Sequence, residues 1–236
     1  MTDVEILGDR AALVRETGAR VAACLRALLD EQERATVALT GGSVGIEVLG
    51  AIPAEGIDWQ RVHVTWSDER FVAAESPDRN AGQARPALLE RVPIPAANVV
   101  ELPATDGPDG NDPDAAAERA TDALRALGRV DLALLGVGPD AHCASLFPGH
   151  PGVEERGARV IAVRDSPKPP PERLSFTLDA IAACDRVWLV VAGDDKAEAV
   201  RLALSGADAS VAPSGAARGR LETRWLLDEE AAALIA

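Results

Sequence analysis

The feature that most constrains the fold of this chain is an alternation of short apolar runs with longer amphipathic segments along nearly its whole length. The runs have the length of buried strands, and the segments between them have the apolar period of helices. This alternation is typical of βαβ units, in which helices connect parallel strands. Several runs are apolar at successive positions, so both faces of the sheet should be covered. The sequence therefore predicts an α/β fold: a three-layer sandwich with a mostly parallel, Rossmann-like sheet and helices on both faces.

The alternation also gives approximate bounds for each element. The predicted strands are residues 35–40, 61–67, 98–102, 130–137, 159–164, 186–193 and 223–227, and the main predicted helices are residues 9–32, 80–91, 113–127 and 195–205. Two segments are predicted to be loops. Residues 103–114 are rich in Pro, Gly and Asp, and either Asp112 or Asp114 could cap the following helix. Residues 164–173 contain four prolines and indicate a stiff, extended loop.

Length, charge and cysteine content limit the classes of function. A chain of 236 residues with 47% apolar composition can bury one sizeable core, which predicts a single domain over residues 1–236. Its net charge of −14 argues against nucleic-acid and anionic-membrane partners, which require a basic surface. The three cysteines lie far apart without metal-type spacing, as in a reducing compartment. With no signal-peptide pattern and no apolar run of ~20 residues, we expect a cytoplasmic protein.

Four polar clusters directly follow predicted strands. They are the residues at 40–43, 67–70, 138–142 and 193–196. In open parallel sheets the ligand crevice lies beyond the carboxyl ends of the strands. We therefore expect a functional site at that edge of the sheet.

The glycine pair in the first cluster suggests an anion site. Gly41, Gly42 and Ser43 lie between a strand and a helix, where backbone N–H groups and a hydroxyl can hold an anion. The alternative is a tight turn in which Ser43 is a helix N-cap. The segment matches neither a Walker loop nor a dinucleotide fingerprint. Arg173 follows the proline-rich segment and Lys196 follows a predicted strand, so these two residues are the candidate cations for such a site.

His142 is the leading candidate for acid–base chemistry. It is the one histidine of three that lies in a glycine-bounded loop after a strand, and histidine can exchange a proton near neutral pH. Asp140 either orients it or caps a turn, and a purely hydrogen-bonding role for His142 remains the alternative. Residues 143–147 could form a short helix in which the Ser145 hydroxyl is incidental; no serine-hydrolase elbow is present. Asp68, Glu69 and Arg70 are either surface charge or part of a buried ion pair.

Taken together, the motifs resemble a known family. The segments "LTGGS", "VTWSDERFV", "LLGVGPDAHCASLFPGH", "ERLSFTLDAI" and "VAGDDKAEAV" are similar to the 6-phosphogluconolactonase branch of the glucosamine-6-phosphate isomerase/6-phosphogluconolactonase family. The resemblance implies hydrolysis of 6-phospho-D-glucono-1,5-lactone to 6-phospho-D-gluconate in the oxidative pentose phosphate pathway. It also implies no cofactor and a small-molecule sugar-phosphate lactone as the partner. No cluster of metal ligands is evident in the sequence, and we expect a monomer or weak homo-oligomer.

The resemblance also implies residue roles. His142 corresponds to the general base and acid, with Asp140 and Asp68 in the catalytic group. Gly41, Gly42, Ser43, Arg173 and Lys196 correspond to the phosphate site, and Asp68 and Arg70 to the sugar side.

Three segments of the sequence depart from the family pattern. Ala141 stands where glycine is usual, so the catalytic turn must tolerate a Cβ atom. "GGSVG" replaces the more common "GGSTP". Arg79 stands where serine is common, and it either reaches the substrate or faces solvent.

Two alternative functions remain at this stage. An amino-sugar phosphate isomerase or deaminase would share the fold, but "HCASLFPGH" lacks the Asn-Glu-Pro continuation usual after the histidine of those enzymes. A non-catalytic sugar-phosphate sensor would normally carry a DNA-binding or second domain, for which a single-sheet chain of this length leaves no room.

Overall fold

The computed structural model describes residues 2–235, which form two β-sheets and seven α-helices. The strands are β1 (Thr2–Ile6), β2 (Ala35–Leu39), β3 (Val62–Trp66), β4 (Asp68–Arg70), β5 (Leu132–Gly136), β6 (Val160–Val163), β7 (Arg173–Phe176), β8 (Arg186–Val191) and β9 (Glu222–Leu227). The helices are α1 (Arg10–Glu31), α2 (Gly42–Ala51), α3 (Asn80–Ala84), α4 (Pro113–Leu127), α5 (Leu178–Ala182), α6 (Ala197–Leu204) and α7 (Pro213–Ala216).

The main sheet has six parallel strands in the order β1-β9-β8-β5-β2-β3. Next to the edge strand β3, Val37 of β2 pairs with Val64 of β3 on one side and with Leu132 of β5 on the other. Every residue of β2 is buried. Since neighbouring residues of a strand point to opposite faces, both faces of the sheet are covered. The predicted α/β sandwich with a mostly parallel sheet is confirmed.

Local capping explains where the two longest helices begin. The Asp9 carboxylate accepts a hydrogen bond from the N–H group of Ala12, at 2.8 Å, and α1 starts one residue after Asp9. Asp112 caps α4 in the same way through the N–H groups of Asp114 and Ala115. Of the two predicted caps for this helix, the structure selects Asp112. Gly128, with a φ of +86°, follows the last residue of α4.

The second sheet was not predicted. It contains three antiparallel strands in the order β4-β7-β6. The segment predicted as a strand at 159–164 is therefore a strand, but it belongs to this small sheet. The proline-rich loop connects β6 directly to β7, and it is too short for the crossover that parallel neighbours need.

Three further predictions about elements were wrong in detail. Residues 98–102 do not form a strand: Ala96–Asn98 is a 3-10 turn, and the contact with β3 is one isolated bridge between Val64 and Val99. The helix predicted over 80–91 is α3 followed by a π-helical turn, Arg85–Leu89. Residues 143–147 are turns and bridges, so the short-helix alternative for this segment is excluded.

No helix within residues 2–235 combines the length and the apolar character needed to span a membrane.

Candidate functional site

A cleft of about 420 Å³ opens at the carboxyl ends of β2, β5 and β8. The predicted residues that line it are Gly41, Gly42, Ser43, Asp68, Arg70, His142, Arg173 and Lys196. A larger cleft, about 740 Å³, lies between α4 and β6, and its lining includes none of these residues. The strand-end position predicted from the sequence is therefore where the structure gathers the candidate side chains.

The loop after β5 folds the His142 ring over Gly138. The N–H group of Gly138 donates to the His142 carbonyl at 2.9 Å, and that of Ala141 donates to the Gly138 carbonyl at 2.9 Å. A Cβ atom on Gly138 would lie 2.0 Å from His142 Cε1 and 2.1 Å from Nδ1. Glycine is therefore required at position 138 for the imidazole to take this position. Ala141 is buried with a φ of +65°, so the turn does carry a Cβ in the left-handed region.

Asp140 and Phe147 hold the imidazole from two sides. Nδ1 of His142 is hydrogen-bonded to Oδ1 of Asp140, and the Phe147 ring lies 4.6 Å away between centroids. Burial opposes ionisation of Asp140, but the hydrogen bond from His142 and the charges of His142 and Lys168 outweigh it and lower the pKa of Asp140 to about 2. An ionised carboxylate only accepts hydrogen bonds, so the neutral imidazole carries its proton on Nδ1. This assignment leaves the Nε2 lone pair free to take a proton.

Asp68 and Ser145 form a buried polar pair beside the histidine loop. The Ser145 hydroxyl donates to Oδ2 of Asp68 at 2.7 Å, and the Ser145 N–H group donates to the Ser175 hydroxyl at 3.1 Å. The Ser145 hydroxyl is thus not incidental, because it fixes a carboxylate that lines the cleft. Its proton is directed at Asp68 rather than at an imidazole.

The glycine loop presents the first turn of α2 to the cleft. The helix starts at Gly42, with Gly41 as its N-cap and no side chain bonded to its first N–H groups. The alternative in which Ser43 is the N-cap is therefore wrong. Gly42 has a φ of +77°, and a Cβ on Gly41 would lie 1.9 Å from Oδ1 of Asn80. Free N–H groups at the start of a ten-residue helix favour an anion at this end of the cleft.

Arg173 is only partly available to a ligand. Its guanidinium donates to the carbonyls of Lys168 (3.0 Å) and Pro169 (3.3 Å) through Nη2, and to that of Pro170 (3.3 Å) through Nε. The side chain is buried over the Phe147 ring, and burial lowers its pKa. Arg173 therefore holds the proline-rich loop with two nitrogens and leaves Nη1 for the cleft.

The other predicted cations differ in their surroundings. Lys196 follows β8, and its ammonium contacts Oδ2 of Asp195 at 2.8 Å. Arg70 lines the cleft and donates to the Asp78 carbonyl at 2.6 Å.

Arg79 does not lie at the cleft, and neither interpretation of it is correct. Its side chain is 1% exposed, and Nη2 and Nη1 donate to the carbonyls of Leu102 (2.7 Å) and Pro103 (3.2 Å). It also lies 3.9 Å from Oε2 of Glu69 and 3.7 Å from Oε2 of Glu101. Arg79 is thus part of a buried ion pair behind the site. The buried pair suggested for the 67–70 cluster exists, but its carboxylate is Glu69 and its cation comes from position 79.

Two cations of the cleft were not predicted from the sequence. Lys168 lies on the proline-rich loop with its ammonium 3.8 Å from Oδ1 of Asp140. Arg10 lies at the start of α1 and forms a two-point ion pair with Glu47 of α2. Lys168 and Arg173 both belong to the proline-rich segment, and Lys168 stands five positions before Arg173. This shared segment is the signal in the sequence for Lys168. No sequence motif marks Arg10.

Within residues 2–235, no group of three or more His, Cys, Asp or Glu side chains is arranged to hold a metal ion.

Comparisons of the sequence and of the structure with known proteins point to the same family. The profile of the family described as glucosamine-6-phosphate isomerases/6-phosphogluconolactonase matches residues 8–225. The 6-phosphogluconolactonase of Streptomyces coelicolor is 51% identical over 84% of this chain and 81% of its own length. That of Mycobacterium leprae is 45% identical over 98% of both chains. The crystal structure of 6-phosphogluconolactonase from Thermotoga maritima superposes with a TM-score of 0.86, at 25% identity, over 97% of this chain and all of that one.

Proposed function

The chain belongs to the glucosamine-6-phosphate isomerase/6-phosphogluconolactonase family, and we propose that it hydrolyses 6-phospho-D-glucono-1,5-lactone to 6-phospho-D-gluconate. The observation that carries this proposal is the Asp140–His142 pair, whose imidazole lines a cleft that also contains the first turn of α2 and several cations. We place the reaction in the oxidative pentose phosphate pathway and in the cytoplasm.

In the proposed reaction, Nε2 of His142 takes a proton from the water molecule that attacks the lactone carbonyl carbon. The tetrahedral intermediate then collapses with cleavage of the bond between that carbon and the ring oxygen. The imidazolium returns its proton to the ring oxygen, and no covalent enzyme intermediate forms. Asp140 keeps the proton of the neutral ring on Nδ1 and stabilises the imidazolium between the two steps. Proton transfer by a positioned group contributes typically ~10²- to 10⁴-fold in rate.

The opposite end of the cleft suits the phosphate group. The first turn of α2, with Gly41, Gly42 and Ser43, offers N–H groups and a hydroxyl, and Lys196 and Nη1 of Arg173 supply positive charge. Asp68 and Arg70 then face the sugar between the phosphate and the lactone. Binding energy from the phosphate is remote from the reacting carbon, so it can orient the lactone for attack.

The decisive experiment follows hydrolysis of freshly generated 6-phosphogluconolactone by proton release, with spontaneous hydrolysis subtracted. We expect rapid turnover by the wild type and a loss of about 10²-fold or more in His142→Ala. His63→Gln, which changes a histidine of β3 outside the cleft, should retain wild-type turnover. Equal rates for His142→Ala and the wild type would refute the role of His142.

Two alternatives are separated by the same assay. Wild-type turnover no faster than background would contradict the lactonase proposal, and glucosamine 6-phosphate would then test the isomerase or deaminase function. Tight binding of sugar phosphates without any turnover would favour a sensor.

A further inference from the structure

Lys168 contacts the same carboxylate oxygen as His142. Its Nζ lies 3.8 Å from Oδ1 of Asp140, the atom that is hydrogen-bonded to Nδ1 of the imidazole. The lysine side chain is 42% exposed and lines the cleft, so the contact is partly shielded from water. The oxygen of Asp140 that orients the imidazole thus also contacts a lysine ammonium.

The backbone at Lys168 is fixed, although it lies in a loop without regular structure. The Ser166 hydroxyl donates to the Lys168 carbonyl at 2.9 Å and accepts from the Lys168 N–H group at 3.3 Å. The Arg173 guanidinium donates to the same carbonyl at 3.0 Å. These bonds, together with the prolines at 169–171, hold the loop so that the lysine side chain projects toward Asp140.

The use of lysine at this position is itself informative. The sequence contains two lysines, Lys168 and Lys196, against 22 arginines, and both lysines line this cleft. Arginine and lysine are not equivalent, since the ammonium group is compact and the guanidinium is a planar fork. The two lysine ammonium groups of this arginine-rich chain thus both lie at the cleft.

We propose that Lys168 is a positioning residue for the Asp140–His142 pair. Its ammonium shares Oδ1 of Asp140 with the imidazole, holds the carboxylate against the ring, and places a positive charge beside this pair. This inference rests on the proposed function for its effect on rate, but the contact itself is testable without activity.

The other charges around Lys168 act on its pKa in opposite directions. Burial lowers the pKa of Lys168, Asp140 raises it, and Lys196 and Arg173 lower it further; Asp195 opposes them. The Asp68 carboxylate accepts a hydrogen bond from the Ser145 hydroxyl. Among these charges, Lys168 is the cation that forms an ion pair with Asp140, so its removal should affect His142 most directly.

The kinetic test compares Lys168→Met and Lys168→Arg on 6-phosphogluconolactone and on plain glucono-1,5-lactone. We expect Lys168→Met to lower kcat on both lactones by a similar factor, on the order of tenfold. We also expect the acidic limb of its kcat/KM profile to move to higher pH by about half a unit or more, because a nearby positive charge is lost. Lys168→Arg should keep the acidic limb near its wild-type position, because the positive charge is retained, but should recover kcat only in part, because the planar guanidinium does not fit the place of the compact ammonium.

Lys196→Met is the matched control, since it removes the other lysine of the cleft. It should raise KM for the phosphorylated lactone and leave the acidic limb in place. If Lys168→Met instead raises KM for the phosphorylated lactone alone, with an unchanged pH profile, Lys168 is a phosphate ligand and the proposal is wrong. Wild-type kinetics on both lactones would also overturn it.

A second measurement is independent of activity. Labelling with lysine enriched in ¹³C at Cε gives two side-chain signals, which Lys168→Met assigns. In Asp140→Asn, the Lys168 signal should titrate at lower pH than in the wild type, because the carboxylate that favours the ammonium is gone, while the Lys196 signal moves little. An unmoved Lys168 signal would refute the contact, whereas a wild type without lactonase activity would refute only the proposed function.

Discussion

At the scale of single residues, the geometry of the site depends on how the loop after β5 is held. Ala141 adopts a left-handed conformation that costs an L-residue roughly 1–2 kcal/mol. The loop tolerates it because the Ala141 side chain is buried and the Ala141 carbonyl accepts a hydrogen bond from the Ser214 N–H group at 3.0 Å. The departure from glycine at position 141 is therefore compatible with the turn, whereas glycine at 138 is required.

Gly138→Ala should displace the imidazole and lower kcat on the phosphorylated lactone by about 100-fold, because small displacements of a catalytic group are costly. The added Cβ would overlap the His142 ring, and the loop backbone cannot yield without breaking the bonds that form it. Steady-state kinetics measures the change. Gly50→Ala is the control, since a Cβ there meets no atom within 4 Å. If both variants keep wild-type kcat, the close approach of His142 to Gly138 is not needed for catalysis.

At the scale of elements, a buried ion pair joins β4 to α3 behind the cleft. The Glu69 carboxylate accepts hydrogen bonds from the N–H groups of Arg70, Asn80 and Ala81, at 2.7 to 2.8 Å. Burial raises the pKa of Glu69, while Arg79 and the three N–H groups act against that rise. The Asn80 amide in turn donates to the Asp68 carbonyl at 2.9 Å. The start of α3 thus positions the strand that presents Asp68.

Arg79→Met should lower the free energy of unfolding by about 3 kcal/mol, because it leaves the buried Glu69 carboxylate without its cation. Urea denaturation measures this loss. The kcat/KM of the remaining folded enzyme should stay near wild type, because Arg79 does not line the cleft. Arg125→Met removes an exposed arginine of α4 and should change stability little. A stable Arg79→Met protein with impaired substrate binding would show that this ion pair positions the cleft rather than stabilising the fold.

The sequence pattern predicts those elements that carry a signal in their own residues, even where their partners in the sheet are distant along the chain. The apolar runs at β2, β5 and β8 and the capped helices α1 and α4 are local signals, and the structure confirms them. The pairing of β4 with β7 joins residues about a hundred positions apart, and no local pattern indicates it. The same distinction applies to the site. Gly41 and His142 directly follow predicted strands, so the sequence indicates that they lie at the cleft. Lys168 reaches the cleft only because the second sheet brings the proline-rich loop to it.

At the scale of the whole molecule, the charge distribution is uneven. The chain carries a net charge of −14, yet five cations (Arg10, Arg70, Lys168, Arg173 and Lys196) and two carboxylates (Asp68 and Asp195) line the cleft. The surrounding negative field disfavours anions in general, so binding must come from these local groups and from the first turn of α2. The protein should therefore bind and be stabilised by anions that fit the cleft, and not by anions that only raise the ionic strength.

We predict that 6-phosphogluconate raises the midpoint of thermal unfolding and that gluconate at equal ionic strength does not. A ligand that binds only the folded state at 100 times its Kd contributes about 2.7 kcal/mol. For a chain of this size, each kcal/mol corresponds to roughly 2–4 °C, so the expected shift is roughly 5–10 °C. Differential scanning fluorimetry across a concentration series measures it. Lys196→Met should reduce the shift, because it removes a cation from the phosphate end of the cleft, whereas Arg125→Met should leave it unchanged. Equal shifts with gluconate or sodium chloride would mean that the phosphate group is not recognised and that the cleft responds only to ionic strength.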